Sequence, residues 1–326
     1  MRAHFCGPFF LEISVLKKNI TLILFSLTIS LVISEVILRS FNLVPMVDQS
    51  NAHLLFENHG DTYKLKKNFQ QIEFAGSLIS SNQFGYRDQT MKRQSSHKRR
   101  VAFIGDSWGF GWGFEEVESI PKRVAKKING EVLNFSIPGF NVRDYSNTIE
   151  KELPKFDIDE VVVLLHLNDI LEMNMERNFS SKDIHETKFL VYELFQRSLL
   201  APLAEFLKLT NKSSVKVFNR AYSKENKKLA LYTTFLKKMI ESSKRNKQEI
   251  KFFILPIPFA NSDNYPLFHI HQQLLELLNK LGARAFDLSP VYKGKRKSAM
   301  TINSYDPHPN SFASKLLAEE ILKIIK

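Results

Sequence analysis

Four short blocks, widely separated along the 326 residues, carry side chains able to act together on a carbonyl. GDSWGFGWG (105–113) sets Ser107 beside Asp106, and SIPGFN (136–141) holds Gly139. LNDI (167–170) holds Asn168 and Asp169, and YDPHPN (305–310) holds Asp306 and His308. A serine hydroxyl is a weak nucleophile until a base takes its proton, and imidazole does so near neutral pH. A carboxylate beside the histidine fixes its tautomer and stabilises the imidazolium. The tetrahedral intermediate carries an oxyanion that needs preorganised donors. The backbone N–H groups of Ser107 and Gly139 and the side-chain amide of Asn168 can supply three.

Such residues work only if the chain brings them to one place. From Val101 onward short apolar runs alternate with helical patterns. VAFIG (101–105), EVLNF (131–135), EVVVLLH (160–166), KFFILPIP (251–258) and ARAFDL (283–288) read as strands, the first stopped by glycine and the fourth by prolines. Helical patterns fall at 119–128, 143–153, 224–245, 265–281 and 310–325, with a Leu- and Phe-rich helical insertion at 184–207. Strands separated by helices imply right-handed crossovers and a mainly parallel sheet. In such a sheet functional groups gather at the carboxyl ends of the strands. Ser107, Gly139 and Asn168 each follow a strand directly, and Asp306 and His308 precede the last helix.

A GDS tripeptide alone is weak, since average usage would produce one in roughly one chain of this length in ten. An Asn-Asp pair is ordinary turn chemistry. The alternative for Ser107 is a helix cap, and Asp106 can hold its loop through backbone hydrogen bonds without touching substrate. Order and position give the blocks their weight. Together they resemble the four signatures of the SGNH (GDSL-type) hydrolases, over residues 101–326, and NQFGYRD (82–88) resembles the segment preceding the domain in membrane-anchored bacterial members. The resemblance implies Ser107 as nucleophile, His308 as base and Asp306 as orienting acid. It also implies an oxyanion hole of Ser107, Gly139 and Asn168. Two positions depart from the pattern. The acid often stands three residues before the histidine, where this chain has Tyr305, and the position two before the asparagine is often glycine but is His166 here. Asp287, after the fifth strand, is the next candidate acid.

Other motifs carry less. His269 and His271 form an HxH pair, but residues two apart on a helix point to different faces and no third ligand is near in sequence. No metal and no cofactor are expected. Trp108, Phe110 and Trp112 either line an acyl or sugar site or pack the loop. GFGWG lacks the Lys-Ser/Thr ending of a phosphate-binding loop.

Ile20 to Leu38 reads ITLILFSLTISLVISEVIL, about the ~20 residues a membrane-crossing helix needs, with Glu35 its one charge. Lys17 and Lys18 precede it, which places the N-terminus in the cytoplasm and the rest outside. An uncleaved signal anchor fits better than a cleaved signal peptide, because SEVILRSFNLVP offers no small-residue cleavage site, or than a soluble helix, which would show a polar face. The single cysteine, Cys6, excludes an intramolecular disulfide. The net charge of +12 suits anionic surfaces, yet the basic residues are dispersed and no nucleic-acid module accompanies them.

The chain is therefore expected to carry a cytoplasmic N-terminus (1–19), a transmembrane signal anchor (20–38) and a juxtamembrane linker (39–97) whose basic run, Lys92 to Arg100, is solvated. An α/β hydrolase domain (98–326) follows, a three-layer α/β/α fold on a five-stranded, mainly parallel sheet. The expected reaction is hydrolysis or transfer of O-acyl groups, O-acetyl foremost, on envelope or secreted glycans through an acyl-serine, outside the cytoplasmic membrane. Lipid or small acyl esters are the alternative substrates. A non-catalytic glycan-binding or assembly component retaining the fold is the alternative from another class.

Overall fold

The computed structural model describes residues 8–40, 51–59, 62–94, 99–173, 209–258, 264–303 and 306–325. The chain forms two compact units. Of the first, the described part is one α-helix of 33 residues, Pro8–Ser40. Its stretch Lys17–Leu38 has a mean hydropathy of 2.3, no part of it is buried, and it is the one helix among the described residues long and apolar enough to cross a membrane.

The second unit, 47–186 with 205–326, is built on five parallel strands. These are β5 (Arg100–Ile104), β6 (Glu131–Asn134), β7 (Glu160–His166), β8 (Glu249–Leu255) and β9 (Arg284–Asp287), in the order β6-β5-β7-β8-β9. All seven residues of the central strand β7 are buried, as its unbroken apolar run requires of a strand covered on both faces. One core, with Ile104, Val163 and Ile254, packs against the helices Val142–Asn147, Lys227–Arg245 and Phe268–Lys280. The other, with Phe103, Val162 and Phe253, is closed by the helices Ile120–Ala125 and Ser311–Ile325. The three layers expected from the sequence are thus present. A further helix, Leu209–Ala221, was not foreseen, and the expected insertion at 184–207 lies outside the described residues.

The stretch expected to be a linker is different. Its described residues between Asn51 and Met91 are folded into the same core, through two antiparallel hairpins: β1 (Phe56–His59) with β2 (Thr62–Leu65), and β3 (Ile72–Phe74) with β4 (Ser77–Ile79). Leu55, Leu65, Ile79 and Tyr86 are buried there. Strands this short and half-polar leave no apolar run to read. Nor is the basic run all solvated: Arg100 is buried, pairing with Glu131 at 2.8 Å and donating to the carbonyls of Lys92 and Arg93. Its residues 95–98 lie outside the described residues.

Candidate active site

The strand order sets the site. Gly139 follows β6, Ser107 follows β5 and Asn168 follows β7, on three neighbouring strands. Ser107 opens a short helix, Ser107–Phe110, capped by Asp106, whose Oδ1 accepts from the Trp108 N–H at 2.9 Å. The hydroxyl of Ser107 donates to His308 Nε2 at 2.9 Å. His308 Nδ1 in turn faces Asp306 Oδ1 at 2.6 Å, which requires the proton on Nδ1 and leaves Nε2 as acceptor. The spacing of two between acid and base is accommodated by an Asx-type turn: the His308 backbone N–H also donates to Asp306 Oδ1, at 2.9 Å, across Pro307. Tyr305, at the spacing of three, lies outside the described residues. Asp287 pairs instead with His271, at 2.6 Å.

Trp112, which the sequence left between lining and packing, contacts both Asp306 and His308. Its indole N–H donates to Asp306 Oδ2 at 2.8 Å, and its ring stacks on His308 at 4.8 Å between centroids. Burial alone would push Asp306 up, but the His308 and Trp112 hydrogen bonds hold it below the ordinary carboxylate range. It is therefore ionised wherever the imidazole must be charged.

The Ser107 loop is braced by residues that sequence reasoning did not assign. Arg87, from NQFGYRD, is buried and donates to the carbonyls of Gly111 at 2.6 Å and Phe114 at 2.8 Å, just past the Ser107 helix. Burial lowers its pKa to about 10, so it remains charged at neutral pH. Asn134 donates to the Gly109 carbonyl at 3.0 Å. A Cβ on Gly109 would lie 2.2 Å from Ser136 Oγ, so this loop crosses the next one too closely for any side chain. The signal for Arg87 was its place in a recognisable stretch; its target could not be read.

Gly139 has φ +74°, and a Cβ there would also meet the Tyr63 hydroxyl at 2.4 Å. That hydroxyl donates to the Pro138 carbonyl at 2.5 Å, so a residue of hairpin β1–β2 pins the Gly139 loop. On the other side, Asp169 of the Asn-Asp pair accepts from the His166 N–H and the Tyr145 hydroxyl, at 2.9 and 3.0 Å, fixing the turn that carries Asn168. His166 Nδ1 contacts Asn168 Oδ1, while its ring packs on Trp108 at 4.6 Å and lies 3.7 Å from Asp106 Oδ2. Burial lowers the pKa of His166, against the pull of Asp106, and burial raises that of Asp106. A neutral His166 has one N–H. Given to Asn168 Oδ1, it orients the amide with its N–H pair on the opposite side.

His269 and His271 do face different ways: His269 Nε2 meets Asn219 Oδ1 at 2.8 Å, and His271 is fully buried beside Asp287.

No family model matches the chain, and no curated protein matches it in sequence. Solved structures similar to it include a lipolytic protein of the G-D-S-L family from Desulfitobacterium hafniense (12% identity, TM-score 0.43, 69% of this chain and 99% of the other). The psychrotrophic esterase EstA from Pseudoalteromonas is another (16%, TM-score 0.42, 70% and 97%). A catalytic mutant of an acetylxylan esterase from Geobacillus stearothermophilus is a third (16%, TM-score 0.43, 70% and 94%). At these values the likeness transfers no residue role to this chain.

Proposed function

We propose that the chain is a serine ester hydrolase of the SGNH (GDSL-type) class, tethered to the outer face of the cytoplasmic membrane by its N-terminal helix. One observation carries the reading: a hydroxyl, an imidazole and a carboxylate joined in series at the mouth of a parallel sheet, at 2.9 and 2.6 Å.

In the proposed mechanism Ser107 Oγ attacks the ester carbonyl as His308 Nε2 takes its proton. Asp306 stabilises the resulting imidazolium. The carbonyl oxygen becomes an oxyanion, met by the N–H groups of Ser107 and Gly139 and the amide of Asn168. His308 returns the proton to the departing alkoxide, leaving an acyl-Ser107. Water then attacks the acyl carbon, giving its proton to His308, and Ser107 leaves with that proton as the acid is released. Arrival of a second alcohol instead of water would make the same steps an acyl transfer. His166 acts in this scheme as a positioning residue, holding the amide of Asn168 by its oxygen so that the amine end faces the oxyanion.

The substrates proposed are O-acyl, foremost O-acetyl, esters of envelope or secreted glycans. Support comes from the apolar helix with Lys17 and Lys18 before it, which would place the domain among such polymers. Two measurements test the reading. Membranes carrying the protein should be labelled by a serine-reactive fluorophosphonate, and the Ser107→Ala protein should not. A reporter fused to the C-terminus should be active only outside the cytoplasm; activity inside would remove the localisation and the glycan argument together.

A further inference from the structure

Some of the basic residues that are dispersed in the sequence meet in one cleft of the fold. Between hairpin β1–β2, the NQFGYRD loop and the segment Glu152–Phe156 lies a cleft of about 590 Å³. Five cationic side chains line it, Lys64, Lys67, Lys92, Arg93 and Lys155, against two carboxylates, Glu57 and Glu152. Lys64 and Lys155 both pair with Glu152, at 2.9 and 3.0 Å. Among the described residues no carboxylate lies within ion-pair distance of Lys67, Lys92 or Arg93, all three of which are exposed. The Arg93 guanidinium lies 5.7 Å over the Phe84 ring, and Phe84 is braced edge-on by Phe156 at 5.2 Å. A planar cation held on an aromatic face is preorganised to take a carboxylate or phosphate from the open side.

The cleft does not end there. A second groove of about 260 Å³ shares His59, Lys64 and Glu152 with it and runs along the helix Val142–Asn147 to Phe140, the residue after Gly139. Asp144, which also lines it, is turned to Thr62 Oγ1 at 2.8 Å and the Asn141 N–H at 3.1 Å. From Val142 to Phe156 the helical path spans ~20 Å, so the two grooves together suit an extended chain rather than a small molecule.

We infer that this cleft binds the anionic units of a polysaccharide, bearing carboxylate or phosphate, and feeds the acylated unit along the second groove toward Ser107; the inference rests on the ester-hydrolase reading for what happens at Ser107, but not for the binding itself. A lipid surface is the lesser fit. The cleft is concave and mixes both signs of charge, and among the described residues none of the exposed large apolar ones of this unit, such as Leu54, Leu78 or Val117, lines it. Membrane-surface binding uses apolar side chains inserted beside the basic ones.

The test uses the full-length Ser107→Ala protein in detergent, titrated with a galacturonate hexamer, a phosphorylated mannan fragment, neutral xylohexaose and phosphatidylglycerol vesicles. One or both anionic saccharides should bind, and the neutral hexamer at least about tenfold more weakly; which anion binds identifies carboxylate or phosphate. Binding should weaken as salt rises from about 50 to about 500 mM. The Lys67→Glu/Arg93→Glu variant should lose about tenfold or more in affinity, and in an otherwise wild-type chain it should leave fluorophosphonate labelling of Ser107 unchanged. Equal affinity for the neutral hexamer, or unchanged affinity in the charge-reversed protein, would overturn the inference. So would vesicle binding lost on charge reversal with no binding of either saccharide. Saccharide binding without any labelling of Ser107 would uphold the cleft and sink the hydrolase reading instead.

Discussion

Among the described residues two histidine–aspartate pairs share one geometry, and the proposed chemistry uses one of them. His308–Asp306 and His271–Asp287 each bring Nδ1 to a carboxylate oxygen at 2.6 Å. The difference lies at Nε2 and at the surface. His308 Nε2 receives a serine hydroxyl, and its side chain is 28% exposed. His271 Nε2 faces the Tyr265 hydroxyl at 3.2 Å in a fully buried setting, with that hydroxyl itself accepting from the Ile257 N–H at 3.1 Å. A tyrosine so placed locks the ring; burial raises its pKa further, so it gives up no proton at neutral pH. The comparison teaches that a carboxylate beside an imidazole is structural by default. What sets His308 apart is the serine hydroxyl at its far nitrogen, the contact on which the proposed catalysis rests.

The strongest way to break the comparison is to remove each base. His308→Ala should lower ester turnover by roughly 10⁴-fold or more, close to the loss in Ser107→Ala because the two act as a unit, while thermal unfolding changes little. His271→Ala should do the reverse: activity of the folded protein stays within about threefold, and stability falls by about 1–3 kcal/mol because the partly buried Asp287 keeps Ser289 but loses His271. Activity assays beside thermal melts of both variants decide it.

The acids sharpen it. Asp306→Asn should cost about ten- to ten-thousand-fold in turnover, the upper end being that of a wrong imidazole tautomer. Asp287→Asn should leave turnover nearly intact. Its effect belongs to stability and to pH. Burial would raise Asp287, but His271 and Ser289 hold it below the ordinary carboxylate range. A carboxylate lowered on folding contributes stability that is full above its unfolded pKa, about 4, and lost as pH falls through the lower folded value. The stability gap between wild type and Asp287→Asn should therefore be largest near neutrality and close in acid. A gap that widened in acid would remove the account of Asp287 as a stabilising carboxylate.

How much of this was legible in advance follows from burial. β5, β7 and β8 lie under helices on both faces and show themselves as apolar runs; β7 was placed to the residue. β1 to β4 hold three or four half-buried residues each, FENH, TYKL, IEF and SLI, and leave no such trace. Ser107, Gly139 and Asn168 sit at strand ends, where topology says to look, and Asp306 and His308 sit just before the last helix. Those that brace them, Arg87, Trp112 and Tyr63, are joined to the site by contacts 23 to 194 residues long in sequence, which no local pattern encodes. Asp287 illustrates the same limit: its type and position were right for an acid, and its partner was a different histidine.

Smaller effects separate the second-rank contacts of the first pair. His166→Ala should lower kcat by roughly ten- to a hundredfold with KM little changed, since the Asn168 amide then loses the contact that holds its oxygen. Burial lowers the His166 pKa, so the unfolded chain takes up its proton first, and stability should fall as pH drops from about 6.5 through the lower folded value. His166→Phe should lose that component. Smallest is Trp112→Phe, which keeps a ring on His308 but removes the N–H to Asp306. A loss of about three- to tenfold in kcat is expected, and a loss as large as in Asp306→Asn would mean that the tryptophan, not the carboxylate, sets the imidazole.

The most direct measurement is the rate at which a fluorophosphonate reacts with the protein, with the labelled residue identified by peptide mapping. Wild type and His271→Ala should both carry the adduct on Ser107 at rates within about threefold, and His308→Ala should react roughly a thousandfold more slowly or not at all. An adduct on another serine, or a His308→Ala protein labelled on Ser107 at the wild-type rate, would contradict the assignment of Ser107 and His308 as the reacting pair.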